Sequence, residues 1–160
     1  MRQPGPALDT GNSLAPGVAA VGDAAARKLH LFVLVAGVLW LVFWYRDTFM
    51  AMVEIWDRSE TFAHGFVIAP ISAWLIWRRR HFIDYLPFAP SLAGIVIGLG
   101  AGLAWLLGQL SSVDAVSQFA VVGMSIGLVW SIMGTAVVRT YAFPLGFLFF
   151  MVPFGEFMFP

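Results

Sequence analysis

Residues 91–110 read SLAGIVIGLGAGLAWLLGQL, a run without any Asp, Glu, Lys or Arg. A helix needs about 20 mostly apolar residues to cross the ~30 Å hydrocarbon core of a bilayer. This run is long enough, and residues 115–138 form a second uncharged run of sufficient length. Both stretches therefore predict membrane-spanning helices.

Three further apolar stretches extend the pattern, at residues 29–45, 62–77 and 141–160. The second of these is short and contains Pro70, so we expect it to be tilted, broken or partly interfacial. Residues 1–28 contain several Pro and Gly without apolar periodicity, which predicts a flexible tail. The predicted fold is an all-α, polytopic membrane helix bundle with about five transmembrane helices over residues 29–160.

The composition also indicates a membrane protein. Hydrophobic residues make up 60% of the chain and charged residues 11%, against about 45–50% and about 25% in soluble domains. Nine basic residues balance nine acidic ones, which excludes a nucleic-acid binder because such a protein needs a basic surplus. The sequence has no cysteine, so it contains no disulfide, no thiolate zinc site and no cysteine nucleophile. We find no metal-ligand spacing, and we predict the lipid bilayer as partner and no cofactor.

Positive charges predict the orientation, since loops on the cytoplasmic side are enriched in Lys and Arg. Alternation of the five spans places Arg46 and Arg58 on one side and seven basic residues on the other. The seven are Arg2, Arg27, Lys28, Arg78, Arg79, Arg80 and Arg139. We therefore predict a cytoplasmic N-terminus, with residues 46–61 and Asp114 outside.

The outer segment 48–59 mixes apolar residues with acids. Such a segment forms either a short amphipathic helix along the outer surface or a solvated loop with scattered apolar residues. The pattern leaves both interpretations open.

Glycines recur at four-residue spacing in the third and fourth spans: Gly94, Gly98 and Gly102, then Gly123 and Gly127. Small residues at this spacing let helix backbones approach each other closely. They predict helix packing, within one chain or between chains. Between these spans lies a polar turn whose residues we interpret as helix caps: Gln109, Ser111, Ser112, Asp114, Ser117 and Gln118.

Two polar residues lie where a membrane makes a polar group costly, and they are the candidate functional residues. His64 stands at the outer end of the second span, and Glu156 follows Pro153 and Gly155 in the fifth. On a continuous helix from Tyr141, Glu156 would lie about 22 Å further along, in the outer third of the membrane. Either both residues help to line one outward polar site, or His64 caps a helix and Glu156 reaches the headgroups. The neighbouring Pro and Gly suggest a broken helix, which is tolerated where backbone is buried in protein or lines water.

Two motifs carry a family resemblance. Residues 64–80, HGFVIAPISAWLIWRRR, combine a histidine–glycine pair, a proline and three arginines. Residues 143–156, FPLGFLFFMVPFGE, end in a proline–glycine–glutamate run. Together they resemble the markers of the exosortase/archaeosortase family, and most of all its exosortase A branch. The resemblance extends from the first span to Pro160.

The resemblance implies a multi-pass cysteine peptidase or transpeptidase of the bacterial inner membrane, linked to exopolysaccharide production. Its implied substrates are exported proteins with a PEP-CTERM signal, which combines a Pro-Glu-Pro motif, a transmembrane helix and a basic tail. The family's Cys and Arg follow the proline–glycine–glutamate run, so this sequence carries no catalytic residue. Only His64 and Glu156 match family positions, as residues that support the site. We expect an N-terminal fragment, truncated before the catalytic part and inactive alone. The alternative is a small membrane scaffold or transporter subunit without catalysis.

Reporter fusions test the predicted orientation. A fusion at Arg80 is expected to report the cytoplasm and one at Asp114 the periplasm, because the basic loops stay inside. The reverse pattern would contradict the orientation derived from the charges.

Overall fold

The structure, a computed structural model, describes residues 16–153, with side chains described from Ala24 onwards. Its regular structure over this range is helical. The α-helices are α1 (Pro16–Trp44), α2 (Arg46–Arg58), α3 (Gly65–Arg78), α4 (Leu92–Leu110), α5 (Asp114–Met133), α6 (Thr135–Thr140) and α7 (Ala142–Phe147). Short 3₁₀ helices cover Arg80–Tyr85 and Leu148–Met151.

The predicted all-α membrane fold is confirmed. Three helices in the described part of the chain are long and apolar enough to cross a bilayer: Ala24–Trp44 within α1, α4 and α5. The remaining two apolar stretches form shorter helices, α3 and the segment Ala142–Met151. Pro70 lies inside α3 without ending it.

The first helix begins before the first predicted span. Residues 16–28, which the sequence assigned to a flexible tail, continue α1 as one helix. This segment is rich in Ala, the residue with the highest intrinsic helix propensity. Residues 1–15 of the predicted tail lie outside the described residues.

The fourth span is shorter than predicted because α5 ends at Gly134. Gly134 has φ +90° and ψ 174°, a backbone conformation that side chains disfavour. A Cβ at this position would also meet the carbonyl oxygen of Ala89. The chain turns at Gly134, and the residues predicted as the end of the span form the separate helix α6.

The fifth stretch is not the continuous helix from which we calculated the depth of Glu156. After α7 the chain tightens into a 3₁₀ helix, and Val152 is extended with φ −71° and ψ 125°. Pro153 explains the break, because proline lacks an N–H and disfavours helical backbone in the residue before it. The suggested helix break is therefore present, and the continuous helix assumed for the depth estimate is not. Glu156 itself lies outside the described residues.

Long-range contacts group the loops into two ends of the bundle. At the end that we call the basic end, Arg27 donates to the Asp84 carbonyl at 2.6 Å, and the Tyr141 hydroxyl donates to the Arg79 carbonyl at 2.7 Å. At the other end, called the outer end here, Trp105 donates to the Thr48 hydroxyl at 3.1 Å. The grouping agrees with alternation of the spans, and the direction in the membrane stays a prediction.

The segment predicted as either an amphipathic helix or a loop is the helix α2. Its buried face consists of Thr48, Met52, Ile55 and Trp56, which recur at helical spacing, whereas Glu54 and Asp57 are exposed. Burial of this apolar face holds α2 against α3 and α5.

Glycines allow α4 and α5 to pack backbone against backbone. A Cβ at Gly127 would lie 2.7 Å from the Gly98 nitrogen, and a Cβ at Gly94 would meet the Ser131 backbone. The two helices are also joined by a hydrogen bond from the Ser91 N–H to the Ser131 carbonyl at 3.1 Å. The predicted packing between helices is therefore found within one chain.

The Gly127→Ala substitution is expected to destabilise the bundle by about 1–3 kcal/mol, because the added methyl overpacks this contact. Gly100→Ala is the matched control, since no heavy atom lies within 4 Å of a Cβ there. Thermal unfolding in detergent measures both variants. Equal midpoints for the two would contradict the assigned α4–α5 contact.

Candidate functional site

The outer end is built around a hydrophobic cluster that joins four segments. Met52 and Trp56 from α2 pack with Ile68 of α3, Val122 of α5 and the chain at 151–152. Met52 is fully buried and Trp56 is 8% exposed. The cluster fixes the end of the described chain against the helices.

Trp56 is the residue through which these segments meet. Its indole N–H donates to the Met151 carbonyl at 2.9 Å, in a buried position. Its ring also contacts Phe66 edge-to-face, with 5.3 Å between centroids. The 3₁₀ helix ends at Met151, so no later helical N–H is available to bind this carbonyl. The indole supplies the missing donor.

Gly65 leaves the space that the Trp56 ring occupies. A Cβ on Gly65 would collide with the indole, and Gly65 is buried at the first position of α3. The histidine–glycine pair and the segment that leads into the proline–glycine–glutamate run are therefore positioned by the same side chain.

A cavity of about 750 Å³ opens beside this cluster at the outer end. We call it the outer cavity. It is lined by Ala51, Glu54, Ile55 and Arg58 of α2, by Ser112, Val113, Asp114, Ala115 and Gln118, and by Pro153. Its lining combines two carboxylates, one guanidinium and an amide with apolar walls. Such a mixture suits a ligand with both polar and apolar groups.

A smaller cavity of about 340 Å³ adjoins the outer cavity. The two share Ala51, Asp114 and Gln118 as lining residues. Gln118 lies at the start of α5 between the two cavities, and it is only 2% exposed.

The structure places His64 apart from the outer cavity. It occupies the position before α3 but makes no capping hydrogen bond with its side chain. Its Nδ1 lies 2.9 Å from the Thr61 carbonyl oxygen, and the side chain is exposed. His64 does not line the cavity, and Glu156, its proposed companion, lies outside the described residues. The role of both residues stays a prediction.

The polar turn between α4 and α5 differs from the predicted caps. The residue before α5 is Val113, and no side-chain capping bond is present. Ser117 and Gln118 are instead buried on α5, where Ser117 packs against Gly108. The Ser111 hydroxyl donates to the Leu107 carbonyl at 2.7 Å and so serves the end of α4.

Within residues 24–153, no group of three or more His, Asp or Glu side chains is placed to hold a metal ion. The outer cavity contains Glu54 and Asp114 as its acidic groups, together with the basic Arg58. The described part of the site is therefore a mixed-charge cavity.

The model of the transmembrane exosortase family matches residues 56–160, about two thirds of the chain. The chain belongs to the transmembrane exosortase family. The resemblance seen in the two motifs is thereby confirmed at the level of the family. No curated protein and no solved structure matches the chain. The exosortase match begins at Trp56, the residue that joins the two motif segments.

Sequence reasoning missed most of the cavity residues. Glu54 and Arg58 were assigned to the outer segment by charge alone, and Gln118 was interpreted as part of a cap. One available signal was the spacing of Met52 and Trp56, which marks a buried helix face. That face also contacts Met151, about 95 positions later in the chain, and the spacing of neighbouring residues cannot predict such a contact.

Trp56→Phe is expected to loosen residues 151–153, because the buried Met151 carbonyl loses its donor at a cost of about 1–3 kcal/mol. A thiol introduced by Val152→Cys reports the change, since Val152 is 4% exposed and the chain has no cysteine of its own. Its labelling by a water-soluble maleimide is expected to accelerate roughly 5- to 150-fold.

The control for this measurement is Trp40→Phe in the same Val152→Cys background. Trp40 is 66% exposed and stacks on Trp44 with 5.7 Å between centroids, far from this hydrogen bond in sequence. Equal labelling rates in the two backgrounds would show that the indole does not hold the segment.

Proposed function

We propose that residues 29–160 form a membrane-embedded part of an exosortase-type cysteine peptidase or transpeptidase. Its proposed substrates are exported proteins with a PEP-CTERM signal. The observation that carries the proposal is the position of Trp56, which contacts the histidine–glycine segment and binds the segment before the proline–glycine–glutamate run. The described residues of the two motifs meet at Trp56, and Pro153 of the second motif also lines the outer cavity.

The outer cavity suits the polar part of such a signal. Its volume of about 750 Å³ falls within the usual ~300–1,000 Å³ of ligand sites. A sorting signal places a short polar motif directly beside a transmembrane helix, so its binding site needs polar groups at one membrane surface. Glu54 and Arg58 of the amphipathic helix α2 and Asp114 at the start of α5 supply such groups.

The thiolate of the proposed reaction does not come from these residues, because the sequence contains no cysteine. We therefore assign residues 1–160 to holding the signal and positioning the reaction, and we expect no cleavage by them alone. In such chemistry a thiolate attacks the peptide carbonyl while nearby cations stabilise the oxyanion. His64 and Glu156 are proposed to support this site.

The proposed location is the inner membrane of a bacterium that makes exopolysaccharide. The basic end is proposed to face the cytoplasm, in keeping with the excess of Lys and Arg there. The outer cavity then opens on the side from which exported substrates are reached.

The alternative of a scaffold or transporter subunit rested on the glycine stripes. Gly94 and Gly127 lie in the contact between α4 and α5 of the same chain. These glycines therefore no longer favour assembly with partners, and the peptidase proposal is preferred.

Processing of a reporter protein with a C-terminal PEP-CTERM signal tests the proposal in cells that carry the gene for this protein. His64→Ala and Glu156→Ala are each expected to slow processing by about 10- to 100-fold, because a misplacement of about 1 Å can cost that much. Immunoblotting of the precursor and the processed form gives the rates.

His81→Ala and Glu60→Ala serve as matched controls, since both residues are exposed and neither belongs to the two motif segments. They are expected to leave processing unchanged. Normal processing in both test variants would assign His64 and Glu156 to the membrane interface. Failure of the unchanged protein to process any such reporter would contradict the proposed substrate class.

A further inference from the structure

The end of α3 carries two tryptophan–arginine pairs that the proposed peptidase function does not use. The Arg78 guanidinium carbon lies 5.3 Å from the centroid of the Trp74 ring. The Arg80 guanidinium carbon lies 4.5 Å from that of Trp77. Both rings are exposed, at 54% and 64%. We call residues Trp74, Trp77, Arg78, Arg79 and Arg80 the arginine face.

The arginine face has an unbalanced positive charge. Among the residues that the structure describes, Arg78, Arg79 and Arg80 form no salt bridge with an acidic side chain. The acidic residue closest to them in sequence is Asp84, whose carboxylate lies 3.5 Å from Arg27. Within the described part of the chain, these three neighbouring guanidinium groups therefore have no carboxylate partner.

The face lies at the level where a membrane offers phosphate groups. Exposed Trp side chains at the end of an apolar helix are typical of the membrane–water interface. Arg recognises phosphate through a planar set of N–H donors. The pairing with the rings restricts the Arg side chains in advance, so less conformational entropy is lost when a phosphate binds.

The end of α3 is also anchored to the rest of the bundle. The Tyr141 hydroxyl donates to the Arg79 carbonyl at 2.7 Å. The Arg80 guanidinium donates locally to the Trp77 carbonyl at 3.2 Å, which orients that side chain. The backbone that carries the three guanidinium groups is thus held in one place. A surface that is fixed, cationic and flanked by exposed aromatic rings fits a lipid with a charged headgroup and apolar chains.

We propose that the arginine face binds the phosphodiester headgroup of an anionic phospholipid, with the acyl chains against Trp74 and Trp77. Arg78 and Arg80 contact the phosphate, and the rings contact the upper part of the chains. The leaflet concerned is the one at the basic end.

Binding of phosphatidylglycerol and phosphatidylcholine with identical acyl chains, measured by native mass spectrometry of the chain in detergent, tests the proposal. We expect tighter binding of phosphatidylglycerol. Arg78→Gln and Arg80→Gln are each expected to weaken its binding about fivefold, the effect of one basic residue near an anionic surface. Binding of phosphatidylcholine is expected to stay the same.

Arg46→Gln is the matched control. Arg46 is exposed and also lies near an aromatic ring, 5.8 Å from the Phe43 centroid, but it has Asp47 at 3.5 Å. This variant is expected to bind phosphatidylglycerol as the unchanged chain does. An equal loss in Arg46→Gln would contradict the assignment of the site to the arginine face.

Two further results would overturn the proposal. One is equal affinity of the unchanged chain for both lipids. The other is competition by soluble glycerol phosphate at the concentration of the lipid, which would make the ligand a soluble anion. If a Gln variant does not fold, salt added to the unchanged chain replaces it. The preference for phosphatidylglycerol is then expected to fall as salt rises, and a preference independent of salt contradicts the proposal.

Discussion

The hydrogen bond from the Trp56 indole to the Met151 carbonyl is the contact on which the outer end depends. Three parts of the chain reach this point by different routes: the surface helix α2, the start of α3 and the segment after α7. The segment after α7 has too little local structure to fix its own position, because α7 has six residues and the chain leaves the helix at Val152. The indole supplies a donor to the carbonyl and an apolar surface to the helices. Its size in turn requires a glycine at position 65.

The membrane helices could be predicted because the bilayer imposes a simple length and charge condition. The uncharged runs correspond to the helices α4 and α5, and the apolar spacing in α2 corresponds to its buried face. Helix ends were predicted less well, since they depend on other parts of the chain. Gly134 ends α5 where the Ala89 carbonyl fills the space of a side chain, and hydropathy does not register that contact.

The candidate site was harder to predict than the fold. The two motifs identified the family, and the described residues at the start of the first motif and near the end of the second meet at Trp56. The cavity next to them is lined by residues from α2, from the turn before α5 and from Pro153, which share no spacing in the sequence. Gln118 illustrates the difficulty. In sequence it belongs to a polar turn, and in the structure it is 2% exposed between two cavities.

The length of α3 has a consequence for the lipid around the protein. Its 14 residues span about 21 Å, well short of a ~30 Å hydrocarbon core. Its neighbour in the bundle, Ala142–Met151, is shorter still. The two lie side by side, so the hydrophobic mismatch is concentrated in one sector of the bundle. A bilayer relieves such mismatch by thinning, which brings the two headgroup layers closer together there. A polar peptide segment entering at this sector therefore crosses less hydrocarbon than it would beside α4 or α5.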